Sequence, residues 1–93
     1  METHPRKRIR LHITGKVQGV GFRFFTQRSA CTLGLTGFVR NEPDGSVTIE
    51  AEGPEGQLSQ FITLVNKGPQ WAHVAHVAMN EMAPENDNVF TVH

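Results

Sequence analysis

Arg23 and Asn41 are the two side chains whose surroundings could do chemistry. Arg23 follows Gly15-Lys16-Val17-Gln18-Gly19-Val20-Gly21, a run with three glycines in seven residues. An alternating apolar series, Ile9, Leu11 and Ile13, precedes this run, and a helical pattern begins near Phe22. A strand therefore empties into a glycine loop, and the loop into a helix N-terminus. Glycines let successive backbone N–H groups converge, and the helix's unpaired N–H groups add to them, an arrangement that suits phosphate. A cation in the first helical turn opposes the helix dipole, so Arg23 gains nothing locally; facing a bound anion bidentately, it does. The loop alone is equally compatible with a mobile glycine turn and a surface arginine. Neither G-x-x-x-x-G-K-[ST] nor G-x-G-x-x-G matches, so general nucleotide motifs lend no support.

Elements far apart in sequence must bring these residues together. Residues 8–14 alternate as a half-buried strand, and Phe22, Phe25, Ser29 and Leu33, flanked by Ala30, predict a helix stopped by Gly34. Residues 35–41 read as a second strand ending at Arg40-Asn41. Glu42-Pro43-Asp44-Gly45 is a turn signal, and Val47, Ile49 and Ala51 then alternate as a third strand in a hairpin with the second. Gly53-Pro54-Glu55 opens a second helix with the stripe Leu58, Phe61, Ile62 and Val65, closed by Lys67-Gly68-Pro69. Residues 72–80 are strand-like, Ala83 to Asn88 is a polar connection, and Val89–Val92 is a short last strand. The order β-α-β-β-α-β, plus one short strand, predicts an α+β ferredoxin-like split βαβ sandwich: an antiparallel sheet with two helices on one face. In that topology the first two strands run parallel with the third between them, so their C-terminal ends share one sheet edge. Two strand spacings put those ends about 10 Å apart, within reach of a small substrate. Asn41 thus meets the glycine loop, although a polar residue at a strand end can equally cap the following turn through an Asx bond.

Composition narrows the partners. Ninety-three residues with 38% apolar and 19% charged content make one ordinary soluble globular domain. We expect residues 1–7 to be a disordered basic tail and residues 8–93 the domain. Net charge is zero, which argues against a general polyanion binder. Eight of nine Lys/Arg nevertheless lie in residues 1–40, the half that holds the glycine loop. A single cysteine, Cys31, excludes an internal disulfide, fits a reducing cytoplasm and reads as a small packing residue of the first helix. No secretion signal or membrane-spanning run is visible.

Other constellations are weaker. His73 and His76 fall on opposite faces of a strand and are poorly placed to share a metal. His12 belongs to an open, polar face. Glu50 and Glu52 share a strand face and read as exposed acids. Trp71 reads as a packing residue. Gly37-Phe38-Val39 faintly resembles an RNA-binding signature, but Asn41 stands where its last aromatic belongs, and Gly34 and Thr36 also fail.

Gly15 to Arg23, Leu33-Gly34-Leu35-Thr36-Gly37-Phe38-Val39-Arg40-Asn41 and Asp44-Gly45 together resemble the acylphosphatase family. Gly53, Phe61 and Gly68-Pro69-Gln70-Trp71-Ala72-His73-Val74-Ala75-His76-Val77 extend the resemblance over about residues 8–92. It implies hydrolysis of carboxyl phosphates to carboxylate and orthophosphate with neither metal nor cofactor. The family's catalytic arginine matches Arg23 and its catalytic asparagine Asn41, with Gly15, Lys16, Val17, Gln18, Gly19, Val20 and Gly21 as the phosphate-binding loop. The expected partner is a small-molecule acyl phosphate, with inorganic phosphate as product and competitive inhibitor, no nucleic acid or membrane, and a cytoplasmic monomer. A carbamoyl-phosphate-handling or non-catalytic domain of a larger maturation protein is the alternative; the chain stops soon after the fold ends, which favours a stand-alone enzyme.

Overall fold

The computed structural model describes residues 6–93. Its elements are β1 (Arg6–Lys16), α1 (Phe22–Thr32), β2 (Thr36–Asn41), β3 (Val47–Pro54), α2 (Glu55–Lys67), β4 (His73–Met82) and β5 (Phe90–Val92). They form one five-stranded sheet in the order β4-β1-β3-β2-β5. β3 pairs antiparallel with both β1 and β2, so those two run parallel to each other as the split βαβ topology requires. The short fifth strand departs from the antiparallel expectation, lying parallel to β2 with Gly37 opposite Phe90. The sheet is mixed, and the fold is ferredoxin-like.

The core follows from the two periodicities. Ile9, Leu11 and Ile13 of β1 and Val47, Ile49 and Ala51 of β3 are buried on one sheet face. From α2, Leu58, Phe61 and Val65 pack among them, and Phe61 meets Phe90 edge to face at 6.3 Å, which fixes β5 to the core. The inward line of α1 is Phe22, Thr26 and Ala30 rather than Phe22, Phe25, Ser29 and Leu33. Small residues one turn apart let the helix lie close on the sheet, and Phe25 and Ser29 turn instead toward α2. Cys31 is exposed, one position beyond that line, and is not the packing residue expected.

Three further expectations need correction. β1 begins at Arg6, so Arg6 and Lys7 are strand residues paired with Pro54 and Gly53 rather than tail; residues 1–5, the rest of the expected tail, lie outside the described residues. Glu50 and Glu52 are buried, not exposed. The β1–β3 register sets Arg8 opposite Glu52 and Arg10 opposite Glu50, and cross-strand neighbours of opposite charge draw together. Arg8, only 1% exposed, donates to Glu50 Oε1 at 2.9 Å, Glu52 Oε1 at 3.1 Å and Asp87 Oδ2 at 3.0 Å. Glu52 also accepts the backbone N–H groups of Glu85 and Asn86, so the connection after β4 folds over the sheet face away from the helices. Trp71, 72% exposed, points outward because Ala72 donates its N–H to Pro69 and turns its own methyl toward the core.

Candidate active site

The site lies where β1 and β2 both end. A β-bulge interrupts the β1–β4 ladder: Thr14 faces His76 and Gly15 faces Val74, leaving Ala75 without a partner. Gly15 (φ 125°) passes so close to His73 O that no side chain could stand there. Gly15 and Lys16 therefore finish β1, and the loop proper is shorter than expected, running from Val17 to Gly21. Val17 is buried in the core and anchors the start of the loop there. Gly19 and Gly21 take left-handed conformations, and Gly21 serves as the N-cap of α1 without a side-chain cap. The first N–H groups of the helix thus have no capping side chain to satisfy them.

Gln18 explains how loop and strand end are held together. Its Nε2 donates to Glu42 O and Ser46 O, each at 2.8 Å. Both carbonyls belong to the β2–β3 turn that starts beside Asn41. Gly45 N to Glu42 O closes that turn, and Asp44 Oδ1 accepts from Ser46 N at 3.0 Å and Ser46 Oγ at 2.6 Å. Asp44, not Asn41, supplies the side-chain bond of the turn. Those bonds from Ser46 hold the Asp44 carboxyl below its usual range. Asn41 Oδ1 is buried and has no hydrogen-bond partner among the described residues.

Arg23 and Asn41 line one cavity of about 340 Å³, together with Val17, Gly19, Gly21 and Val92. The topology predicted that meeting. Of the expected phosphate-binding loop, Gly15, Lys16, Gln18 and Val20 do not line it. Arg23 is half-buried, and its Nη1 donates to His93 O at 2.6 Å. His93 is fixed in turn by its N–H to Val39 O, by Thr91 Oγ1 at 3.0 Å from Nε2, and by the Phe38 ring edge-on at 5.6 Å. Parallel pairing of β5 with β2 is what carries this backbone oxygen to Arg23. A backbone oxygen leaves no mark in a sequence, so no residue pattern points to His93 as the partner of Arg23. Gln27, one turn beyond Arg23, also lines the cavity and reaches Phe90 O at 3.4 Å; its i+4 spacing from Arg23 was the signal that could have found it. His12, His73, His76 and His93 contribute no lining. Among the described residues, no three His, Cys, Asp or Glu side chains cluster closely enough to hold a metal ion.

An arginine, a helix N-terminus and an unpartnered amide oxygen around one cavity of a small α+β protein have the chemistry of a phosphate-handling site. Comparison with known proteins narrows this. The acylphosphatase family model matches residues 9–92. An acylphosphatase of Salinibacter ruber is 56% identical over 77 residues, 83% of this chain and 81% of that protein. One from Thermotoga petrophila is 48% identical over 86 residues, covering 92% and 96%. The crystal structure of acylphosphatase from Bacillus subtilis superposes with a TM-score of 0.91 at 38% identity, covering 92% of this chain and 97% of that one. The chain belongs to the acylphosphatase family.

Proposed function

We propose that Arg23, Asn41 and the Val17–Gly21 loop carry out the acylphosphatase reaction, hydrolysis of a small acyl phosphate to carboxylate and orthophosphate. The protein is an enzyme of that activity. An acyl phosphate already carries a good leaving group, so the protein's part is positioning and charge stabilisation. Arg23, anchored through His93 O, keeps its other guanidinium N–H groups for two phosphoryl oxygens. The loop and helix N–H groups take the remaining phosphoryl charge. Asn41 Oδ1 accepts a hydrogen bond from the attacking water and fixes its line of approach. Water oxygen bonds to phosphorus, the P–O bond to the acyl group breaks, and the electron pair leaves on the carboxylate. The water proton passes to a phosphoryl oxygen, so the substrate serves as its own base.

The observation that carries these assignments is the buried, unpartnered Asn41 Oδ1 in the cavity that Arg23 also lines. A buried acceptor without a donor costs about 1–3 kcal/mol, which is worth bearing where a substrate water supplies the donor. Inorganic phosphate fits the same cavity as product and competitive inhibitor. No helix among the described residues is long and apolar enough to cross a membrane. With one free cysteine, the chain suits a reducing cytoplasm, where we take it to act as a monomer. The test is phosphate release from benzoyl phosphate across pH. We expect competitive inhibition by phosphate, no effect of chelators, and kcat nearly flat from about pH 5 to 7.5, where a free histidine would titrate. A sigmoidal profile abolished by replacing one histidine with Gln would overturn the substrate-assisted step.

A further inference from the structure

A second cavity, of about 470 Å³, opens beside the first, between the outer side of α1 and the C-terminal end of α2. Phe24 and Phe25 form one wall, and Leu64 and Pro69 the other. Gly21 and Phe24 line both cavities, so the two spaces adjoin at the helix N-terminus. Phe24 is 62% exposed, and the Arg28 guanidinium lies over its ring, 5.6 Å from the centroid. That contact holds the ring at the junction. A large aromatic there, facing Leu64 across a groove, forms an apolar surface with no core duty.

We infer that this groove is the acyl subsite, and that Phe24 makes the enzyme favour bulky apolar acyl groups, aryl or branched, over short ones. The inference rests on the acylphosphatase reading and adds the class of acyl group to it. In-line displacement sends the leaving carboxylate away from the attacking water. Asn41, the residue assigned to that water, lines the phosphate cavity only, whereas the groove borders that cavity through Gly21 and Phe24, which line both. No acidic side chain lines the groove, so the departing carboxylate meets no like charge there. Ring-on-ring contact between Phe24 and an aryl acyl group contributes roughly a tenfold preference.

The experiment measures kcat/KM for benzoyl phosphate and acetyl phosphate in the wild type, Phe24→Ala and Leu64→Ser. Intrinsic reactivity cancels when the benzoyl-to-acetyl ratio is compared between proteins. Both side chains are exposed, and circular dichroism confirms folding. The ratio should fall about tenfold in Phe24→Ala and by a smaller, definite factor in Leu64→Ser, chiefly through KM. A ratio unchanged in both variants, with hydrolysis intact, overturns the groove as acyl subsite and leaves the acylphosphatase reading standing. A fall confined to Phe24→Ala also overturns it, since the effect would then belong to the phosphate cavity. Failure of the wild type to hydrolyse either compound overturns the underlying reading instead.

Discussion

In the role proposed for it, Arg23 offers phosphate a planar fork, and a lysine in its place would offer only a point charge. Arg23→Ala should therefore lower kcat/KM by about 10²–10³-fold in a folded protein, and Arg23→Lys should recover little of that. Near-normal turnover in Arg23→Ala would remove the residue from the mechanism. Asn41 separates positioning from binding. Its amide oxygen makes no bond that the fold needs, because Asp44 already serves the turn. Asn41→Ala should thus lower kcat by about 10²-fold while leaving thermal stability at or above the wild-type value, because the unpartnered acceptor is gone, and the phosphate inhibition constant close to wild type. A joint loss of stability and phosphate binding would make Asn41 a structural cap after all.

Among the elements, the loop depends on the hairpin. Gln18 pins the loop to two carbonyls of the β2–β3 turn, and Gln18→Ala should free it. We expect KM to rise several-fold and stability to fall by about 1–2 kcal/mol, read from steady-state kinetics and urea denaturation; an unchanged KM would show that the loop holds its shape unaided. Much of this level was legible in the sequence. Alternation in Ile9-Leu11-Ile13 and Val47-Ile49-Ala51, the Pro43-Asp44-Gly45 turn and the stripe of α2 each reflect one local period or one turn type. The split topology then brought Arg23 and Asn41 to one edge. What could not be read depends on contacts between distant segments. The facing of α1 was decided by how closely Thr26 and Ala30 let it approach the sheet. His93 acts through a backbone atom, and the burial of Glu50 and Glu52 needed the β1–β3 register and the later cover from residues 85–87.

For the whole molecule, the charged layer beneath the sheet governs behaviour in acid. Burial pushes the Glu52 carboxyl up, but the Glu85 N–H, Arg8 and the Asn86 N–H outweigh it, and the group ends below its ordinary 4.5. Glu50 behaves likewise, with burial opposed by Arg10 and Arg8. Carboxyls depressed in the folded state contribute stability above their unfolded pKa and lose it as pH falls through the folded value. Stability should accordingly hold from neutral pH down to about 4.5 and then drop below it, as measured by urea midpoints against pH. Glu52→Gln leaves Arg8 short of a buried counter-charge and should cost about 3 kcal/mol at pH 7, with a shallower acid slope. A slope identical to wild type would show that Glu52 is not the titrating group.

The tie from Arg23 to His93 spans 70 residues, and that from Arg8 to Asp87 spans 79. Contacts of such range reward folding only once the entropy of closing the long intervening loop has been met, so they are expected to form late. A chain with its hairpin and first helix in place but β5 undocked would own the glycine loop, yet its guanidinium would swing without an anchor. On the role proposed for Arg23, catalytic competence is a report on completed topology: it should arrive with the last strand, and refolding followed by turnover should register the closing of the sheet rather than the making of its parts.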